Sequence, residues 1–121
     1  MSAFADIGSV GPQQIWDGIV GRTVHGERVT LSVLELDAGS VVPEHAHGNE
    51  QVGILVEGSL RFTIGAETRD LAPGATWRIL ADVPHSVEVG HEGALIVEVF
   101  SPIRDDWHVL ELQEPRPGRW P

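Results

Sequence analysis

The chain contains no cysteine, no lysine and no tyrosine. Without cysteine there is no disulfide, no thiolate nucleophile and no thiolate-bound zinc. Without lysine, Schiff-base chemistry is excluded. Long apolar runs are missing too, and nothing approaches the length of a membrane span. The opening residues, Met1 to Gly8, lack a basic stretch followed by a continuous apolar one, so no secretory signal is expected and the cytoplasm is the expected compartment. Positive charge is scarce. Eight arginines face 18 aspartates and glutamates, for a formal net charge of −10. Such a surface repels phosphate backbones and anionic lipid, so the expected partner is a small molecule, with no nucleic acid and no membrane. The chemistry that remains must come from His, Asp, Glu, Ser, Arg or a bound ion.

At 121 residues, 41% of them apolar and 21% charged, the composition is that of one ordinary globular domain. Residues 1–12 carry Gly and Pro with little pattern and read as a flexible arm. From residue 13 to 112 the chain reads as short strands between turn residues. In 28–36, Val29, Leu31 and Val33 alternate with Arg28, Thr30 and Ser32. Residues 51–57 are rich in β-branched side chains and lead to a tight turn at Glu57-Gly58-Ser59. Leu60, Phe62 and Ile64 alternate before a turn at 65–67, and Ala72-Pro-Gly-Ala75 turns again into 76–79. The last two runs, 85–89 and 94–101, are separated by Gly90-His-Glu-Gly93. No stretch between 15 and 101 has helical periodicity. Many short strands with frequent turns predict an all-β sandwich or barrel. Residues 107–112 suit a last short strand or a helical turn, and the proline-rich 113–121 an irregular tail. Segments 51–56 and 94–100 are apolar on both faces and need cover on both, which predicts a homodimer.

Three histidines stand out. His45 and His47 lie at i, i+2, a spacing that puts two side chains on one face of a strand, and His85 follows Val83-Pro84 further on. A lone histidine here reads as a polar strand residue. Two imidazoles on one face, with a third from another strand, are a natural cradle for a transition metal.

The pattern Gly39-(five residues)-His45-x-His47-(three residues)-Gln51-(six residues)-Gly58 resembles the first motif of the cupins. Gly74-(ten residues)-His85 resembles the second. The resemblance spans roughly 28–100 and implies a small double-stranded β-helix, a single-domain jelly-roll barrel with its metal inside. The implied ligands are His45, His47, Gln51 and His85, with Glu50 as the alternative to Gln51. Leu80, Asp82 and Val89 replace the Pro, Gly and Asn usual in the second motif. Gln51 stands where the family usually has Glu. An amide does not cancel the ion's charge, so the site stays near roughly +2, a stronger Lewis acid that attracts anionic chelating substrates. One divalent ion is expected; nickel, cobalt, zinc, iron, manganese and copper all suit such donors.

The stretch Glu98-Val-Phe100-Ser-Pro-Ile-Arg104 is similar to the ending of small cupins that linearise 4,5-unsaturated uronates from pectin and alginate breakdown. That likeness gives Glu98 and Arg104 as catalytic residues and Phe100 and Arg104 as substrate-binding residues. Glu98 replaces the Asp of those proteins. If its face is the barrel interior, burial raises its pKa while a nearby ion lowers it. The plainer alternative has Glu98 facing out and Arg104 paired with Asp105 or Asp106. The resulting expectation is a metal-dependent enzyme, of isomerase or lyase type, that opens and ketonises an unsaturated uronate. The alternatives are a dioxygenase acting on a diketone or flavonol-like substrate, a metal-assisted cyclase or lyase, and a non-catalytic metal-dependent binding module. His25, His91 and His108 read as exposed, Trp16 and Trp77 as core or dimer contacts, and Arg78 as a candidate for the pocket wall.

Overall fold

A computed structural model describes residues 2–108, 110–113 and 120. Its strands are β1 (Gln13–Trp16), β2 (Ile19–His25), β3 (Thr30–Leu36), β4 (Val41–His45), β5 (Glu50–Ile64), β6 (Glu67–Leu71), β7 (Thr76–Ile79) and β8 (His85–Ser101). A 3-10 turn at Ile7–Ser9 precedes them, and one helical turn, α1 (Asp105–His108), follows. The fold is all-β and antiparallel throughout, as the turn-rich pattern predicts. Every strand pair lies within one hydrogen-bonded system of order β1-β2-β3-β8-β5-β6, with β4 on β8 and β7 on β5.

Two long strands make the barrel. The first half of β5 pairs with β7 and with the end of β8, while its second half pairs with β6 and with the start of β8. β8 in turn takes β4 at its start and β3 at its end. Each long strand therefore belongs to both halves of the jelly roll, and each bends where it changes partners. The bends are the positions the sequence presents as turns. Glu57-Gly58-Ser59 lies inside β5, with register shifts on both sides of 57–58, and Gly90 to Gly93 lies inside β8. Bulges of this kind kink a strand without ending it. Gly58 has φ +89° and a Cβ there would lie 1.9 Å from the Gly93 carbonyl oxygen, so the crossing point needs glycine. The turns expected at 65–67 and 72–75 are present; β6, whose side chains are mostly exposed, carries no apolar alternation to announce it.

The interior is built from alternate residues. Leu34, Leu36, Val42, Leu55, Leu60, Phe62, Ile79, Val87 and Ile96 are buried in one cluster. In β3 the burial runs against the apolar alternation of 28–36. Thr30 and Ser32 are fully buried and point inward with Leu34 and Leu36, whereas Val29 and Leu31 are exposed. The N-terminal segment lies beside that outer face: Ala5, Ile7 and Val10 line one shallow depression with Val24, Leu31 and Val33. His25 is not exposed as read from the sequence. It ends β2, half-buried, with Nδ1 2.8 Å from the Thr30 hydroxyl and Nε2 3.2 Å from that of Thr23. His91 is exposed as expected. The expectations for the His108 side chain and for most of the 113–121 tail fall outside the described residues. Of the residues read as a last strand or helical turn, 107 and 108 end α1 and Leu112 forms a single bridge with Gln13. Among the described residues no helix is long and apolar enough to cross a membrane.

Candidate metal centre and pocket

His45 ends β4 directly opposite His85, the first residue of β8. His47 lies beyond β4, in the short connection to β5, so the strand spacing of 45 and 47 does not explain their convergence. The connection curls instead, and the three imidazoles meet with all candidate ligand atoms within 4.8 Å of one another. Ring centroids of His45 and His85 are 4.2 Å apart, and those of His47 and His85 5.0 Å.

Each ring is oriented by a main-chain carbonyl two residues away. Nδ1 of His45 lies 2.8 Å from the Pro43 oxygen, Nδ1 of His47 2.9 Å from that of Asn49, and Nδ1 of His85 2.9 Å from that of Val83. A carbonyl only accepts, so each Nδ1 carries the proton and each Nε2 presents a lone pair. Nε2 of His47 and of His85 is buried with no hydrogen-bond partner, and so is Oε1 of Gln51, whose amide lies against His47. Three buried acceptors without donors are costly unless something positive sits between them. The donor set thus fits a divalent transition metal, with His45, His47, His85 and Gln51 as its holders. Burial, aided by the Arg104 charge, lowers the pKa of His47, and burial takes His85 to about 4. Both are therefore neutral at pH 7, the form that ligation requires. Glu50, the alternative to Gln51, is exposed and outside the cluster.

Glu98 faces the interior. It is 5% exposed, lines the same hollow as His45, His85 and Gln51, and sits opposite Ser32 in register. Its Oε2 accepts from Trp77 Nε1 at 2.9 Å and from Gln51 Nε2. Burial pushes its pKa up, opposed by those two donors and by Arg104. The shared amide explains the glutamine. Oε1 of Gln51 could face an ion while Nε2 donates to Glu98; a glutamate would offer no donor and would set two carboxylates together. Trp77 reaches Glu98 because residue 53 is glycine. A Cβ there would fall 2.5 Å from the indole ring. That pairing of Gly53 with Trp77 is the one sequence signal that could have revealed the contact.

Arg104 lies in the segment after β8 and is 8% exposed. Its guanidinium lies over both Phe100, at 4.8 Å, and Trp107, at 4.2 Å, two rings that meet edge to face 5.0 Å apart. Nε and Nη2 donate to the two oxygens of Asp106 at 3.0 and 2.7 Å, and this arginine holds the Asp106 carboxyl below the usual range. The pairing of Arg104 with an aspartate, read from the sequence as the plainer alternative, is present with Asp106, and the same residue also lines the hollow. The outward-facing alternative for Glu98 is overturned. Phe100 is buried, 6.0 Å from the His47 ring. Arg78 is exposed on the outer face beside Val52 and Ile54, not in the pocket. Trp16 lines the hollow, its ring 5.3 Å from His45, a role not read from the sequence. The hollow measures about 60 Å³. Its polar lining is His45, Gln51, His85, Glu98 and Arg104, and the rest is aliphatic and aromatic.

A bent, two-faced β-barrel with three inward imidazoles defines a jelly-roll protein able to hold a metal ion. The chain belongs to the cupin domain family, which matches residues 32–100. It is 28% identical over 86 residues to an uncharacterized protein of Streptomyces coelicolor, covering 71% of this chain and 82% of that one. It is also similar to the pectin degradation protein KdgF of Dickeya dadantii, 24% identical over 97 residues, 78% of this chain and 88% of that protein. Among solved structures, KdgF from Halomonas sp. superposes with a TM-score of 0.80 at 25% identity, covering 88% of this chain and 98% of that one. Oxalate decarboxylase of Bacillus subtilis shares the fold, with a TM-score of 0.73 at 20% identity over 93% of this chain and 33% of that one.

Proposed function

We propose that the protein is a metal-dependent enzyme that ketonises a small, chelating, unsaturated acid, with a ring-opening 4,5-unsaturated uronate as the substrate to test first. The observation that carries this reading is the position of Glu98. It is a buried carboxyl with a raised pKa, held on one oxygen by Trp77 and Gln51, in the same hollow as the unpartnered ligand atoms. His45, His47, Gln51 and His85 would hold a divalent ion, which would supply Lewis acidity toward an anionic substrate. Glu98 holds the proton that passes between enol oxygen and carbon, with Oε1 as the working atom because Oε2 is engaged. Arg104 takes up the substrate carboxylate. Its contact with Asp106 uses Nε and Nη2, and a guanidinium has five N–H donors, so the Nη1 side serves the acid. Phe100 and Trp107 keep that guanidinium planar to the pocket and dry. The likeness to proteins named for pectin degradation supports the uronate class. The same proposal includes a cytoplasmic setting and a homodimer.

The test is turnover of an unsaturated uronate by protein loaded in turn with nickel, cobalt, zinc, iron, manganese or copper, with and without oxygen. Loss of the unsaturated chromophore without oxygen uptake is expected. Oxygen uptake with a diketone instead establishes the dioxygenase alternative. Binding of the acid with no turnover under any metal establishes the binding-module reading. General acid–base groups contribute about 10²–10⁴-fold, so Glu98→Gln should lose at least about 100-fold in kcat while retaining its metal. His47→Ala removes a ligand and should weaken zinc by more than the roughly 100-fold that loss of an outer partner can cost. Full turnover in either variant overturns the assignment.

A further inference from the structure

Asn49 faces two ways. Its main-chain carbonyl takes the Nδ1 proton of His47 at 2.9 Å and so fixes which nitrogen of that ring is left for a ligand. Its side-chain amide donates to the carbonyls of Pro102, at 2.6 Å, and Ile103, at 3.1 Å, which lie 53 and 54 residues further along the chain. An asparagine in a short connection ordinarily bonds to its own neighbours, as in an Asx turn. Here both acceptors belong to a distant strap, and they immediately precede Arg104. The Arg104 amide in turn donates to Thr30 Oγ1 at 2.9 Å, so the strap is held from both sides at the residue that stacks on Phe100. The strap has other ties. Ser101 Oγ donates to the Arg28 carbonyl at 3.2 Å, and Gln13 Nε2 to those of Trp107 and Leu110 at 2.9 and 3.0 Å. Those fasten it to β1 and to the 28–30 stretch, away from the segments that carry the imidazoles.

We propose that Asn49 is a positioning residue that couples the hold on the metal to the seat of Arg104; this rests on reading His47 as a ligand and Arg104 as the substrate's anchor. A displaced strap pulls on the Asn49 side chain, and the backbone that orients His47 moves with it. Coupling between two sites is reciprocal. An ion that fixes His47 therefore steadies the strap, and a strap closed on an acid tightens the hold on the ion.

The test follows zinc affinity by chelator competition and amide hydrogen exchange at Arg104 and Trp107, in the full chain with and without zinc. In the wild type, zinc should slow exchange at both amides; no change on adding zinc overturns the proposal, whatever the variants do. Asn49→Ala should speed exchange, abolish the zinc effect on it and weaken zinc about tenfold, the lower end of what outer partners of a ligand carry. Asn49→Gln keeps an amide donor and should recover part of each loss. Ser101→Ala is the control. It loosens the strap without touching the connection that bears His47, so exchange should quicken while zinc affinity stays within about twofold of wild type, well inside the range expected for a lost outer partner. Equal loss of zinc affinity in Ser101→Ala and Asn49→Ala, or unchanged affinity in Asn49→Ala despite a loosened strap, also overturns it. No substrate enters these measurements. A coupled response in a protein that turns over no acid therefore leaves the role of Asn49 standing and removes the functional reading.

Discussion

His85 shows how one side chain ties the chemistry to stability. Its burial lowers its pKa from 6.5 to about 4. Between those values the unfolded chain binds a proton that the folded chain refuses, so stability rises with pH across the window and is complete above about 6.5. Acidifying the metal-free protein from pH 7.5 to pH 5 should therefore cost roughly 2 kcal/mol from this residue. Glu98, whose raised pKa works in the opposite sense, remains in a His85→Gln variant, so the difference between the two proteins isolates the histidine. Urea midpoints measured against pH provide it. A wild-type curve parallel to that of His85→Gln between pH 7.5 and 5 means that the imidazole is not buried as described. At this scale the sequence is informative where chemistry restricts the choice. The three histidines stand out because few other residue types can hold a transition metal, whereas Gln51, Glu98, Phe100 and Arg104 stand out only through the likeness to the cupins. Trp16, Asn49 and Trp77 do not, because tryptophan suits any core and asparagine any loop, and only the pairing of positions distant in sequence gives them a role.

The elements were legible in content and misleading in their ends. Alternation identifies the second half of β5, runs that are apolar on both faces identify its first half and the end of β8, and glycines mark the breaks between the halves. A glycine break reads as a chain reversal when only neighbours in sequence are considered. In the folded protein the partners on either side change while the strand runs on, and nothing local distinguishes a bend from a hairpin. The inward face of β3 misleads for a related reason. Thr30 and Ser32 are polar yet buried, because Thr30 serves His25 and the Arg104 amide and Ser32 lies opposite Glu98. Burial there follows the pocket's needs and not hydropathy. The bend at Gly58 makes a sharp prediction. Alanine at this position must adopt φ near +89° and places a methyl 1.9 Å from the Gly93 carbonyl oxygen. Backbone strain of this kind costs about 1–3 kcal/mol, and the clash adds to it, so Gly58→Ala should lose about 3 kcal/mol or more in denaturant unfolding. Gly39→Ala, also at positive φ but with nothing within 4 Å of its Cβ, should lose only the backbone share. Equal losses in the two variants mean that β5 and β8 do not cross as closely as they do here.

On the scale of the whole molecule, parts of the outer wall are apolar in a chain whose net charge is −10. Val52 and Ile54 of β5 are 45% and 39% exposed, and they line a broad, shallow depression with Val97 and Val99 of β8, edged by Thr76 and Arg78. These are the outward residues of the two strands whose inward residues, Gln51, Glu98 and Phe100, build the pocket. A chain with net charge −10 repels a second copy of itself at long range, so association has to occur where the charge is low and the surface apolar. The depression meets that description, and Arg78 is the only charged side chain lining it among the described residues. We propose that the homodimer expected from the two-sided apolar pattern of 51–56 and 94–100 would form through this face, with both partners presenting the same patch across a two-fold axis. Light scattering should return twice the chain mass at micromolar concentration. Ile54→Glu places two carboxylates against each other across the axis and should return the single mass, with the metal site intact because Ile54 points away from it. If the wild type stays at the single mass as concentration rises, or if Ile54→Glu remains a dimer, this face is not the interface. A dimeric Ile54→Glu would direct attention to the exposed Val24, Val29 and Leu31 on β2, β3 and the turn between them, the other apolar stretch of the outer wall.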